Sequence, residues 1–391
     1  KTPLVSIRAV CDGGQRAEKA GQEGLVRLFS SVWDRGTEVR SAGEIEREID
    51  RLGAIVTGVS ERDTIQLGAR FLKETFSDGL DLFFDLLTAP VCPPQEVTRE
   101  RTDQLRELDS LKENRFSYAF QHFLQIFYGT HPYNHLSLGL QDGLAAISRD
   151  DLLAFHHASL QPERMVFAVV GDIETEEVLD LFRRLAPPTL MEARPTVVQV
   201  GPALPERHEM AEQIIDLPGQ QTHIVWGFPT VTLRHPDRYA LRVLDTILGG
   251  QGGRLFVELR DKKSLAYTVT SFDAYPVEQG FFALYIACTP DKEQEAIEEF
   301  ERIIHDVQHT GVSLDELNRA KTYLEGVVDI GLQSSSQRTA VYGMGELHSG
   351  GWNAYQDYVR VVQQMTVDEV QSAAQTYLNP LQSVRIILRA T

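Results

Sequence analysis

Two stretches decide how this chain is organised: Ile147-Ser148-Arg149-Asp150-Asp151-Leu152 and, 218 residues further on, Met365-Thr366-Val367-Asp368-Glu369-Val370. Each reads as the start of a helix. A hydroxyl side chain stands at the N-cap, and acidic residues follow in the first turn, where free N–H groups and the helix dipole favour them. Ser148 to Pro162 and Thr366 to Pro380 are each 14 residues apart, and each proline is followed by an apolar strand, Met165 to Val170 and Val384 to Leu388. Leu28 and Leu244 stand 216 apart in similar helices, and Arg99 and Arg319 stand 220 apart in charged ones. An offset drifting about 218 describes one duplicated unit with loop insertions, and it excludes a short-period solenoid.

Working outward, a run rich in proline and glycine lies between the copies, from Pro187-Pro188 through Pro195 to Gly201-Pro202 and Pro205. It predicts domains at 1–190 and 207–391 joined by a linker at 191–206. Within each copy the hydrophobic period changes along the chain. Leu4 to Val10 reads as a strand, within which Val5 to Ala9 alternates as a half-buried one. Leu25, Leu28, Phe29 and Val32 have helical spacing, as do Ile45, Ile49 and Leu52. Ile55 to Phe71 reads as two strands around Gly58 and Gly68. Leu80 to Leu87 is an apolar helix, and a charged helix runs from Pro94 to about Asn114. The second copy repeats the scheme, with strands at Ile224–Gly227 and Phe281–Ala287 and helices at Asp237–Leu248 and Lys292–His309. The fold class is therefore α+β: two homologous domains, each a mainly antiparallel sheet with helices on one face.

Composition narrows the function. The 391 residues carry 38 Lys+Arg against 56 Asp+Glu, a net charge of −18, and no basic stretch. Nucleic acid is not the expected partner, because phosphate repulsion would have to be overcome by a dense basic face. The longest clearly apolar run, Met165 to Val170, is far short of the roughly 20 residues a spanning helix needs. No leader is visible before Lys1, so the chain reads as a processed product or a fragment. Bacterial periplasm or cytoplasm is the expected location. Cys11, Cys92 and Cys288 lie too far apart for a thiolate zinc motif.

Autonomous chemistry is hard to find. There is no Gly-x-Ser-x-Gly elbow and no cysteine in a nucleophile setting. Gly249-Gly250-Gln251-Gly252-Gly253 follows a helix and lacks a Gly-Lys-Ser/Thr ending, so it reads as a helix corner rather than a phosphate cradle. His131 and His135 have i,i+4 spacing but Pro132 breaks the helix between them, and the adjacent His156 and His157 diverge by about 100° on a helix.

With the duplication go Gly24-Leu25 and Gly36-Thr37, Leu52-Gly53-Ala54, His131-Pro132-Tyr133, Val169-Val170-Gly171-Asp172, and Gly253-Arg254-Leu255-Phe256 through Ala266-Tyr267. Across essentially its whole length the chain resembles the pitrilysin/insulinase-type zinc metallopeptidases, the inverzincins, and most of all their two-domain processing-peptidase branch. Active members of that family carry His-x-x-Glu-His on the first helix, two histidines for zinc and a glutamate for the attacking water. The matching positions here are Arg27, Ser30 and Ser31, and Glu107 stands where the third ligand falls. The resemblance therefore implies no metal bound by this chain. An Arg27–Glu107 ion pair in the emptied place is a hypothesis that a separation beyond about 6 Å would end. It also implies that Arg260 and Tyr267, seven residues apart, reach toward a partner's zinc site to hold the substrate backbone and stabilise charge on the cleaved carbonyl. The strand around Ile55 to Leu67 would be the edge that takes an extended peptide.

The function so implied is that of a zinc-less subunit, inactive alone, in a heterodimeric zinc metalloendopeptidase whose companion supplies the zinc. Two other readings follow from the same resemblance: a non-enzymatic scaffold subunit, or the C-terminal half of a longer single-chain peptidase.

Overall fold

The computed structural model describes residues 3–191 and 201–391. Residues 192–200 of the expected linker lie outside the described residues. Among the described residues there are nine strands: β1 (Leu4–Asp12), β2 (Ile55–Ser60), β3 (Thr64–Leu72), β4 (Met165–Gly171), β5 (Ala211–Leu217), β6 (Thr222–Pro229), β7 (Ala266–Ala274), β8 (Phe281–Cys288) and β9 (Val384–Ala390). They make two sheets, ordered β2-β3-β1-β4 and β5-β9-β6-β8-β7. Every pairing is antiparallel except β5 with β9. The α+β class expected from the sequence is what the chain adopts.

The repeat signature maps onto matching structure. Ser148 and Thr366 each complete a capping box, with Asp151 and Glu369, on helices Arg149–Ser159 and Val367–Tyr377. Pro162 and Pro380 each open a short 3₁₀ turn, which leads into β4 and β9. The fixed φ of proline suits the first helical position and stops the preceding helix.

In the first sheet β1 buries Val5, Ile7, Ala9 and Cys11 against helices Leu25–Val32 and Phe76–Thr88. Its other side chains, Ser6, Arg8 and Val10, face helix Ser335–His348. The Ser6 and Ser335 hydroxyls are 2.8 Å apart, Arg8 Nε donates to Thr339 Oγ1 at 3.4 Å, and a Cβ on Gly343 would stand 2.6 Å from Val10 Cγ2. In the second sheet helix Arg115–Tyr128 plays the same part. Phe116, Phe120 and Phe123 stack edge-on against Phe272, Phe281 and Tyr285, and Gly227 of β6 leaves room for the Phe123 ring.

Both covering helices come from the opposite half of the sequence. The compact units are accordingly Lys1–Asp109 with His135–Gly201 and Gly331–Ala354, and Ser110–Asn134 with Pro202–Ile330 and Tyr355–Thr391. The sequential division at 191–206 does not allow for this exchange. The exchanged helices begin at Arg115 and Ser335, 220 residues apart, so they are equivalent members of the repeat. The reason for the exchange is burial. Helices local to each half cover one sheet face, and the second face needs a layer of its own: in the second sheet Phe272, Phe281 and Tyr285 are shielded, and in the first the partly polar face of Ser6, Arg8 and Val10 finds hydrogen-bond partners and close packing.

Candidate functional site

The helix that corresponds to the family's metal-binding element runs Leu25–Val32, with Leu25, Val26, Leu28, Phe29 and Val32 buried. Its N-terminus is held by a carboxylate: Glu18 accepts from the Gly24 N–H at 3.1 Å and the Val26 N–H at 2.8 Å. Glu18 also sits 3.2 Å from His135 Nε2. Burial disfavours the charged ring of His135, but the Glu18 hydrogen bond and charge outweigh that and raise its pKa. Gly24 takes φ +100° with Leu138 O 2.8 Å from where a Cβ would be, so only glycine fits that entry.

On the outer face of this helix Arg27 Nη2 lies 3.2 Å from Glu107 Oε2, on helix Pro94–Asp109. The expected ion pair is formed. With the two side chains 39% and 54% exposed it adds little stability. The Ser30 and Ser31 hydroxyls both donate to the Arg27 carbonyl, at 2.8 and 3.2 Å. This donor set does not fit a zinc ion. A guanidinium cannot ligate, the serines are turned to backbone, and one carboxylate remains, itself paired. Gly58 of edge strand β2 lies against this helix, with Ser30 O 2.6 Å from its Cβ position. Its smallness therefore serves helix–strand packing.

Arg260 and Tyr267 are brought together. Arg260 lies on a π-helical segment, Phe256–Lys262, with its guanidinium 4.5 Å from the Phe256 ring centre and 4.7 Å from that of Tyr267. Tyr267 is the extra residue of a bulge. Ala266 pairs with Cys288 and Thr268 with Ala287, leaving Tyr267 unmatched on edge strand β7. It is 76% exposed. π-turns and bulges both re-aim side chains out of a regular lattice, and both are common at functional sites. The rings hold the guanidinium by cation–π attraction while leaving its N–H groups available. A planar fork and a phenol side by side are suited to an anionic oxygen.

Beside helix Arg238–Gly249, the Gly249–Gly253 turn and helix Leu314–Gly331 wall a cavity of about 770 Å³. Arg254 fixes one edge by a two-pronged pair with Glu316, at 2.6 and 2.8 Å. At its base Arg242 pairs with Asp273 at 2.7 Å, Tyr275 donates to Asp273 at 2.6 Å, and Ser271 donates to Asp245 at 2.6 Å. Burial and the neighbouring Asp273 charge push Asp245 up to about 7, against the Ser271 hydrogen bond and Arg242. None of this network was legible in the sequence, since its members are ordinary residues on separate elements.

The sign of its effect on stability follows. The folded chain keeps the Asp245 proton after the unfolded chain, at an ordinary pKa of about 3.9, has released it. This carboxyl therefore costs stability progressively from about pH 4 to about 7 and fully above that. Asp245→Asn is expected to leave the melting temperature near wild type at about pH 4 and raise it by several degrees at about pH 8. Calorimetry at both values checks it, and a constant difference at the two would contradict it.

The histidine pairs singled out by their spacing have separate tasks. His131 Nε2 is 3.0 Å from Glu278, whereas His135 pairs with Glu18, so the two do not share a site. His156 bonds the Leu87 carbonyl at 2.7 Å inside the aromatic core, and His157 is exposed. Among the described residues no group of three or more His, Cys, Asp or Glu is placed to hold a metal ion. No helix there is long and apolar enough to cross a membrane.

Comparison with known proteins agrees with this architecture. An uncharacterized zinc protease of Mycobacterium leprae is 28% identical over 94% of this chain and 82% of its own length, and another of Bacillus subtilis is 24% identical over 94% and 90%. The crystal structure of a peptidase M16 inactive domain from Pseudomonas fluorescens superposes with a TM-score of 0.91 at 22% identity, covering 100% of this chain and 94% of that one. The periplasmic protease PqqL of Escherichia coli shares the fold with a TM-score of 0.84 at 18% identity, and there this chain spans 100% of itself but 43% of PqqL. A duplicated, two-sheet protease fold is thus the class. The profile of insulinase, peptidase family M16, matches residues 1–139, and that of the peptidase M16 inactive domain matches 146–324. The chain belongs to peptidase family M16.

Proposed function

We propose that this chain is the zinc-less subunit of a heterodimeric zinc metalloendopeptidase. In this reading it closes the chamber and lends Arg260 and Tyr267 to a companion that carries His-x-x-Glu-His. The observation that carries it is the stack of Arg260, from the π-helical segment, on the exposed Tyr267 of a bulged edge strand, kept in a chain whose own motif positions hold an ion pair. Chemistry would then be divided. The companion's zinc supplies the activated water. This chain's guanidinium and phenol hold the substrate carbonyl and its developing negative charge. Edge strand β2 supports an extended peptide bound as an added strand, which gives affinity with little sequence preference.

Reconstitution tests it. The purified chain is expected to cleave no unstructured protein substrate such as casein, with or without added zinc. Mixing it with the His-x-x-Glu-His chain that co-purifies from its source is expected to produce chelator-sensitive cleavage that neither chain gives alone. Full activity of this chain by itself overturns the reading.

A further inference from the structure

The cavity between helices Arg238–Gly249 and Leu314–Gly331 lies wholly within the second compact unit, and the function proposed above gives it no task. Among the described residues, the charged side chains that line it are Arg242, Asp245, Glu316 and Arg319. Three of them are spent on partners. Arg242 lies 2.7 Å from Asp273, Glu316 is gripped by Arg254 at 2.6 and 2.8 Å, and Arg319 pairs with Asp315 one turn back on its own helix. Asp245 is the one left without a cation of its own. Its Oδ1 accepts from the Ser271 hydroxyl at 2.6 Å, and Arg242 comes no nearer to its Oδ2 than 3.9 Å.

The neighbouring elements do not make up the deficit. Strand β7 adds a second acid, Asp273, and Tyr275 just beyond it gives its hydroxyl to Asp273 at 2.6 Å. Helix Leu314–Gly331 offers Arg319 and Glu316, both already paired, and helix Ala354–Gln364 offers the neutral phenol of Tyr358. A carboxylate so placed must take up a proton or a cation. The free chain uses a proton: burial and the Asp273 charge hold Asp245 at about 7. Above that pH the group costs stability, and a costly titratable group inside a cavity is a mark of a functional site.

The cavity also restricts the kind of cation. A volume of about 770 Å³ suits an organic ligand. A hard metal ion would need several oxygen ligands, and only one uncommitted carboxyl faces inward. Ile247, Leu324 and Val327 supply hydrocarbon wall, and Tyr323, 62% exposed, supplies an aromatic face. With Oδ1 already accepting from Ser271, Asp245 suits the single-point contact of an ammonium better than the two-pronged fork of a guanidinium.

We infer that this cavity binds a primary ammonium group on an aliphatic stem, the charge paired with Asp245 and the stem lying along Ile247, Leu324 and Val327. A lysine side chain of a peptide and a free alkylamine both present that chemistry. Binding is an exchange: the Asp245 carboxyl releases its proton to solvent, the carboxylate pairs with the ammonium, and the charge within the cavity is unchanged. The inference does not rest on the proposed peptidase role, because the isolated chain is expected to bind.

Calorimetric titration of the isolated chain with n-butylammonium and, separately, with N-acetyl-Gly-Lys-Gly-amide tests it, in buffers of different ionisation enthalpy. About one proton is expected to be released per ligand at about pH 6 and almost none at about pH 8.5, with affinity rising about tenfold between the two. n-Butanol, which has the stem without the charge, is expected not to bind. Asp245→Asn, whose fold is expected to be at least as stable as wild type at neutral pH, should lower the affinity by at least about tenfold and abolish the proton release. Tighter binding of the peptide assigns the ammonium to a peptide side chain, and tighter binding of butylammonium assigns it to a free amine. Absence of binding by both overturns the inference. So does binding without proton release at about pH 6, or binding that Asp245→Asn leaves unchanged.

Discussion

Tyr267→Phe and Arg260→Ala are each expected to lower kcat of the reconstituted peptidase by about 10²-fold, the scale of losing one donor to a developing oxyanion. The tyrosine variant is the cleaner of the two. It keeps the ring on which the Arg260 guanidinium lies at 4.7 Å and deletes only the hydroxyl, which has no protein hydrogen-bond partner among the described residues. At 76% exposure the hydroxyl contributes almost nothing to folding, so the melting temperature should not move. A loss in kcat with KM nearly constant would identify an interaction made in the transition state. Arg260→Lys should rescue poorly, because a point charge replaces a planar fork and stacks less well between Phe256 and Tyr267. Unchanged kcat in both variants would mean that the pair is incidental and would favour a scaffold role.

What the sequence disclosed of this molecule was local. Capping boxes at Ser148 and Thr366 and prolines at 162 and 380 are signals carried within a few residues, and each reappears at its place. β1 also lies where its alternation puts a strand, but as a central strand it is buried on both faces rather than half-buried. The Arg27–Glu107 pair was legible by position against the family motif. The exchanged helices were not, for two different reasons. In Arg115–Tyr128 the apolar stripe of Phe116, Phe120, Phe123 and Phe127 declares a buried face without saying which sheet it covers. In Ser335–His348 the contact face is Ser335, Thr339 and Gly343, small and polar residues that leave no trace in hydropathy. The bulge at Tyr267 was equally hidden. It depends on how Ala266 and Thr268 meet residues about 20 positions away on β8.

The exchange itself can be weighed through Phe123, where the largest stability effect is expected. Phe123→Ala should cost about 3–5 kcal/mol, the range for emptying a fully buried aromatic site. The ring is 0% exposed and contacts Phe120, Phe127 and Phe281, and it lies over the bare backbone of Gly227, 2.4 Å from where a Cβ would sit. Rigid aromatic neighbours on several sides leave little scope for collapse into the void, which places the cost toward the upper end. The informative point is where the loss falls. Phe123 belongs by sequence to the first half but by packing to the second unit, whose described residues include Trp226 as their single tryptophan. Trp226 is buried, and its indole donates to Ser383 at 2.8 Å, so its fluorescence reports that unit's core. With Trp33 and Trp352 as reporters of the first unit, denaturant unfolding should show the Trp226 transition shifted to much lower urea and the other displaced less. The reverse order would return the helix Arg115–Tyr128 to the unit in which its sequence begins.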